Sequence, residues 1–230
     1  MIEELLPVGV AAVEAFEDRD DAALFPEEEA LLARAVDKRR REFTTVRACA
    51  RDALASLGFP AAPLLPGERG APGWPRGAVG SMTHCAGYRA AAVARASDVA
   101  TVGIDAEPHD ALPDGVLESI ALPEERVRLK NLAVGDPDVC WDRLLFSAKE
   151  SVYKAWFPLT RRWLGFEEAD IAIDPERRTF SARLLVEGPV ADGRRLDGFE
   201  GRWIVGNGIV ATVIAVPKGG DGTAPGRYGT

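Results

Sequence analysis

Apolar residues recur at helical spacing between residues 34 and 57, where Phe43, Val46, Ala50, Leu54 and Leu57 fall on one face and Gly58 follows. This pattern predicts a long amphipathic helix that glycine ends. A second long helix is expected over residues 141–157, burying Phe146, Tyr153, Trp156 and Phe157, with Glu150 at the border of that face. Residues 124–132 read as a shorter helix. Before residue 32 the helical patterns are short, and Pro26 interrupts them.

Elsewhere the pattern suits strands. Gly80-Ser81-Met82-Thr83-His84 leads into a strand over residues 88–94, which turns at Ser97-Asp98 into a strand over 99–104; we read this as a hairpin that brings Asp105 to a sheet edge. A further strand is expected over 180–186. Strands over 202–205 and 209–216 meet through Asn207-Gly208, a strong hairpin signal. Residues 60–77 are rich in proline and glycine but contain Trp74, which suits a structured loop better than a flexible linker. From residue 218 the chain lacks an apolar pattern and is expected to be a disordered tail. The expected organisation is two similar halves, residues 1–107 and 108–217, each a helix followed by an antiparallel hairpin. Short turns between strands, and no glycine-rich strand-to-helix phosphate loop, favour an α+β class.

Composition narrows the function. With 230 residues, 47% of them apolar, and no run near eighteen apolar residues, no membrane span is expected. Acids at Glu3 and Glu4 stand where a secretory signal would carry Lys or Arg, so the expected location is the cytosol. Cys49, Cys85 and Cys140 are odd in number and far apart, which suits reduced thiols rather than a zinc or disulfide framework. A net charge of −8 argues against broad binding to nucleic acid. A polyanionic ligand would need a local basic patch. One is offered by Arg34, Lys38, Arg39, Arg40, Arg41, Arg47 and Arg51, with Arg40, Arg47 and Arg51 on one flank of the first long helix so that their heads converge.

The candidate chemistry lies in two short segments. In Val102-Gly103-Ile104-Asp105-Ala106-Glu107 the side chains of Asp105 and Glu107 point to the same side of an extended chain, while Ile104 faces the opposite layer. In the second long helix Glu150 and Lys154 lie one turn apart. Three carboxylates and only two histidines suit a hard, oxygen-seeking ion, magnesium or manganese, facing a phosphorylated substrate. Lys149, Lys154 and the arginine flank would neutralise the remaining charge, an arrangement that serves phosphoryl-type transfer. Plainer readings are a surface ion pair for Glu150 and Lys154 and an ordinary loop position for His84. Asp170 and Asp174 belong to no motif.

Gly103-Ile104-Asp105-Ala106-Glu107 together with Phe146-Ser147-Ala148-Lys149-Glu150-Ser151-Val152-Tyr153-Lys154 resembles the paired signature of 4′-phosphopantetheinyl transferases of the surfactin-synthase-activating and enterobactin-synthetase type. The resemblance extends to Arg41-Glu42-Phe43 with Arg47, to the loop over residues 67–75, and to Gly80-Ser81-Met82-Thr83-His84-Cys85. It includes Trp156-Phe157-Pro158-Leu159-Thr160 with Trp163-Leu164-Gly165-Phe166, and so spans residues 38–216. Residues 102–109 and 156–166 are most similar to actinobacterial members.

The resemblance implies a pseudo-dimeric α+β fold that binds coenzyme A between its halves. It also implies transfer of the phosphopantetheine arm to a serine of an acyl or peptidyl carrier protein, releasing adenosine 3′,5′-bisphosphate. It assigns Asp105, Glu107 and Glu150 to the metal, Lys154 and His84 to the phosphates, and Arg39 and Arg47 to the 3′-phosphate and nucleotide end, with Lys149 also at the site. Glu150 is the candidate base for the serine proton, and Lys154 acts beside it. The expected active form is a monomer. Residues 112–132, with Leu117, Ile120 and Leu122 near Arg126, Arg128 and Lys130, are a candidate surface for the carrier protein. The alternatives are a metal-dependent phosphohydrolase or nuclease, which usually needs a further acidic cluster for a second metal, and a catalytically silent carrier-binding module. Loss of one of the three carboxylates would have marked the silent module.

Overall fold

A computed structural model describes residues 1–219. Its elements in order are β1 (Val10–Ala15), α1 (Pro26–Leu31), α2 (Asp37–Ser56), β2 (Ala78–Cys85), β3 (Tyr88–Arg95), β4 (Val99–Pro108), α3 (Val116–Ile120), α4 (Pro123–Gly135) and α5 (Trp141–Thr160). They continue with β5 (Ala169–Asp174), β6 (Thr179–Leu184), β7 (Val190–Ala191), β8 (Arg194–Arg195), β9 (Gly198–Gly206) and β10 (Ile209–Pro217). Two antiparallel sheets form, ordered β1-β3-β2 and β4-β10-β9-β6-β5, and β7 with β8 makes a small separate ribbon.

Alternation along the strands stacks these elements as α2, first sheet, second sheet, α5. Ala91 and Val93 of β3 face α2, packing with Cys49, Ala50, Ala53 and Leu54. The alternate residues Tyr88, Ala90, Ala92 and Ala94 face the second sheet, meeting Val102, Ile104 and Ala106 of β4 and Ile209, Ala211 and Val213 of β10. The other face of β10, through Val210 and Ile214, packs on Leu144, Leu145, Ala148, Val152 and Trp156 of α5. Residues 90–94 are buried on both faces and are nearly all alanine, which lets a helix on one side and a sheet on the other come close.

Several expectations change. Pro26 opens α1 at its first position rather than breaking a helix, since the missing N–H of proline costs nothing there. β1, absent from the sequence reading, pairs along its length with β3. Residues 80–84 lie within β2, which forms the hairpin with β3 through Ala86 and Gly87. The hairpin expected between the strands on either side of Ser97-Asp98 does not form, because β4 leaves the first sheet and pairs with β10. The change of sheet thus comes at this turn, and the boundary drawn at residue 107 falls inside β4. Phe146 and Tyr153 are half-buried, and the buried face of α5 runs through Trp141, Leu144, Leu145, Ala148, Val152 and Trp156. β5 was also missed. The expected tail falls on residues 220–230, outside the described residues, apart from Lys218 and Gly219, whose N–H groups donate to Asp98 O and Asp192 Oδ2.

One device occurs in both halves. In Phe25-Pro26-Glu27-Glu28 the Glu28 carboxylate accepts the N–H of Phe25 at 2.9 Å, the N–H of Leu64 at 2.9 Å and the guanidinium of Arg51 on α2 at 3.0 Å. In Leu122-Pro123-Glu124-Glu125 the Glu125 carboxylate accepts the N–H of Leu122 and of Ile171, both at 2.7 Å, and pairs with Lys149 on α5 at 2.9 Å. Each glutamate caps its own short helix and binds a cation on the long helix of its half. Both carboxylates are almost fully buried, and their several donors offset the cost of desolvation. No helix among the described residues is long and apolar enough to cross a membrane.

Candidate active site

β4 and α5 are locked together at Gly103, where an added Cβ would lie 2.1 Å from the carbonyl oxygen of Ser151 and 2.8 Å from the nitrogen of Ala155. Thr101 Oγ1 donates to Ala155 O at 2.8 Å one pleat away. Positions 101, 103, 105 and 107 therefore face α5, and Ile104 faces the first sheet as expected. The free edge of β4 is met by β2 through side chains: Ser81 Oγ and Thr83 Oγ1 accept the N–H groups of Ile104 and Ala106, each at 3.1 Å.

Asp105 is only 4% exposed. Its Oδ1 accepts Lys154 Nζ at 2.7 Å and Thr83 Oγ1 at 3.3 Å, while its Oδ2 is buried with no partner. Lys154 also donates to Ile104 O at 3.1 Å. Glu107 Oε2 accepts Arg143 Nη1 at 3.0 Å. Burial and then the charge of Asp105 push the Glu107 carboxyl above its ordinary range, against the pull of Arg143. Glu150 is pushed the same way by burial and then Asp105, against Lys154. Asp105 thus acts on both of the other carboxylates, and Arg143 and Lys154 do not cancel its effect on them.

No three His, Cys, Asp or Glu side chains among the described residues converge as a ready metal cage. The donor set still fits a divalent ion. Hard oxygens, a buried orphan at Asp105 Oδ2 and the repulsion that Asp105 exerts on Glu107 and Glu150 are what such an ion relieves.

Residues of α2 and β2 bring further polar groups near Lys154. Arg39 Nη1 donates to His84 Nε2 at 2.8 Å, and Glu42 Oε2 lies 3.9 Å from His84 Nδ1. Burial, then Arg39, hold His84 below its ordinary range despite Glu42, so the imidazole is neutral at pH 7 with its proton on Nδ1. Arg89 is buried against Asp18 and Cys85 O at 2.8 and 3.2 Å. Burial, with Glu107 and Asp105, pushes the Cys85 thiol up to about 12, and all three cysteines are free thiols as expected.

Four cations take other places than expected. Arg47 does not open onto a basic flank: it donates to Leu64 O at 3.0 Å, lies 3.6 Å from Glu28, stacks on Phe43 and is 6% exposed. Arg51 joins it on Glu28, and Arg40 turns to Glu29, so these heads converge on buried acid rather than on solvent. Lys149 points away from the carboxylates, its ammonium held by Glu125 and by Phe166 O and Ala169 O at 2.6 and 2.9 Å. Sequence reading missed Thr83, which orients Asp105, and Arg143, which holds Glu107. Arg143 was open to detection, since it precedes Glu150 by seven residues and Lys154 by eleven and so shares their stripe of α5.

A cavity of about 200 Å³ is lined by Lys149, Glu150, Val152, Tyr153, Trp163, Leu164 and Phe166, so it brings the predicted site residue Lys149 beside Glu150. The hydroxyl of Tyr153 is buried there without a partner.

Two family models divide the chain much as the sheets do. The 4′-phosphopantetheinyl transferase N-terminal domain matches residues 27–94, and the 4′-phosphopantetheinyl transferase superfamily matches residues 101–198. The chain belongs to the 4′-phosphopantetheinyl transferase family. Among its relatives are three 4′-phosphopantetheinyl transferases from actinobacteria. Svp of Streptomyces mobaraensis is 63% identical over 219 residues, covering 94% of this chain and 89% of the relative. Npt of Nocardia iowensis is 52% identical over 223 residues, covering 94% and 99%. PptT of Mycobacterium tuberculosis is 49% identical over 224 residues, covering 94% and 98%. As a 4′-phosphopantetheinyl transferase, the chain is an enzyme that moves the phosphopantetheine arm of coenzyme A to a carrier protein.

Proposed function

We propose that Asp105, Glu107 and Glu150 hold a magnesium or manganese ion against the diphosphate of coenzyme A. The observation that carries this is the buried, partnerless Oδ2 of Asp105 in the field of two further carboxylates. A bound ion supplies charge neutralisation at the diphosphate and at the departing phosphate oxygen. Lys154, a point charge on a flexible stem, adds to that neutralisation beside Asp105, while Arg39 and neutral His84 meet the 3′-phosphate and nucleotide end. The apolar cavity beside Glu150 takes the pantetheine arm, with the Tyr153 hydroxyl available to its amides.

The serine hydroxyl of an apo acyl or peptidyl carrier protein attacks the phosphorus that carries the pantetheine arm. A serine O–P bond forms, the P–O bond to adenosine 3′,5′-bisphosphate breaks, and Glu150 takes the serine proton. Glu150 suits that role because its carboxylate, with no hydrogen-bond partner among the described residues, can face both the ion and the incoming hydroxyl. We take the active form to be a cytosolic monomer, a state that light scattering of the purified chain checks.

The test is intact-mass analysis of apo carrier proteins incubated with coenzyme A, magnesium and the enzyme. Each modified carrier should gain the mass of one phosphopantetheine arm, and a panel of carriers reports partner preference. Asp105→Ala or Glu107→Ala should cut turnover at least about a hundredfold. Chelator should abolish transfer, and added magnesium or manganese should restore it. Near-normal turnover of either variant at saturating magnesium would sink the assignment.

A further inference from the structure

Arg143 sits in the first turn of α5 and spends all three guanidinium nitrogens on fixed partners. Nε donates to Asp110 O at 2.9 Å, Nη2 to Ala111 O at 2.9 Å and Nη1 to Glu107 Oε2 at 3.0 Å. Two of these partners are backbone carbonyls in the segment that follows β4, so the planar fork is anchored on one side and grips the carboxylate on the other. Lys154, by contrast, holds Asp105 with one rotatable ammonium that has a single backbone anchor, Ile104 O. The two cations divide the carboxylate oxygens: Lys154 takes Asp105 Oδ1 and Arg143 takes Glu107 Oε2. Left over are Asp105 Oδ2, Glu107 Oε1 and the Glu150 carboxylate, which has no hydrogen-bond partner among the described residues.

We infer that Arg143 is a positioning residue for the metal: by pinning Oε2 it fixes the carboxylate of Glu107 so that Oε1 is presented to the ion beside Asp105 Oδ2. The inference rests on the metal reading above. A carboxylate on a two-carbon stem loses rotamer freedom when it joins a metal, and a partner that has already frozen it lowers that cost. Arginine suits the task and lysine does not, because these three partners are met by three separate nitrogens of one rigid fork, and an ammonium offers a single nitrogen in their place.

The plainer role, a tether for residues 110–112, is separable, since Asp142 ties the same segment by accepting Leu112 N–H at 2.8 Å and does not touch Glu107. The experiment is titration of the purified enzyme with manganese alone, read by loss of the free-ion paramagnetic resonance signal, with melting temperature measured in parallel. Arg143→Gln should weaken manganese about ten- to a hundredfold, Arg143→Lys should fail to restore it, and Asp142→Asn should leave affinity unchanged. In a Glu107→Gln background, Arg143→Gln should cause no further loss. Unchanged or tighter manganese binding in Arg143→Gln would overturn the inference. So would an equal loss in both backgrounds, or the same loss in Asp142→Asn. Should Arg143→Gln not fold, Arg143→Lys carries the same comparisons. If Glu107→Gln itself binds manganese normally, the metal reading fails and not merely this deduction from it.

Discussion

Arg39 and Arg47 lie two turns apart on α2 yet meet different surroundings, and their expected phenotypes diverge accordingly. Arg39 is exposed and hydrogen-bonds His84, so Arg39→Ala should weaken coenzyme A more than dephospho-coenzyme A by calorimetry, while melting stays near normal. Arg47 is sealed against Glu28 and Leu64 O, and burial pushes its pKa down to about 10, which still leaves it charged at neutral pH. Arg47→Ala should therefore cost on the order of 2 kcal/mol of stability and affect both ligands alike. A selective loss for the 3′-phosphorylated ligand in Arg47→Ala would return that residue to the nucleotide site. Glu150 carries the opposite expectation. Its carboxyl is raised in the folded state, so folding penalises the charged form; the penalty is fully present above the folded-state pKa and fades as pH falls through it. Glu150→Gln should consequently raise the metal-free melting temperature at neutral pH, with the gain shrinking toward acid pH, while transfer is lost. A melting temperature that is unchanged or lower at neutral pH would contradict this.

At the scale of elements, the close crossing of β4 and α5 depends on Gly103. Gly103→Ala would drive a methyl group into the backbone of α5 at Ser151, where no flexible side chain can give way. About 3 kcal/mol of destabilisation is expected, with loss of manganese affinity because Glu150 and Lys154 move away from β4. Denaturant unfolding together with the metal titration checks both parts. Much of this element was legible in the sequence: period-two spacing put Asp105 and Glu107 on one side, and the i, i+4 pair put Lys154 beside Glu150. What was not legible depended on contacts between distant segments. A small-residue strand such as β3, buried on both faces, has no polar alternation to declare its neighbours, so its pairing with β1 rather than β4 could not be read locally. Arg47 turns inward, and Lys149 lines the cavity beside Glu150 while pairing with Glu125, for a related reason. Charge pattern marks a basic flank but does not reveal that Glu28 and Glu125 come from elsewhere to neutralise it.

For the whole molecule, partner choice turns on what remains exposed once these internal pairs are made. Leu117 packs inward and Ile120 is buried, and Arg128 is committed to Asp170 and Ile171 O, so much of the expected docking segment is structural. The outward stripe of α4 is Arg126, Val127, Lys130 and Val134, apolar and basic together, as an acidic carrier would require of an enzyme that is itself acidic overall. The double variant Arg126→Glu, Lys130→Glu should raise the carrier KM severalfold and leave coenzyme A affinity and melting temperature unchanged. Unaltered carrier kinetics would move the docking surface elsewhere.

The hydroxyls of Ser81 and Thr83 reach further than the seam they close. β4 is an outer strand of its sheet, and an outer strand with open N–H groups is a template on which another chain can lengthen the sheet. By occupying the N–H groups of Ile104 and Ala106, the two hydroxyls deny that template to foreign strands at the stretch that carries Asp105. The strand that must stay open to a ligand at its side chains is thus closed to polymerisation at its backbone, and the safeguard against aggregation and the support of Asp105 reside in the same two residues.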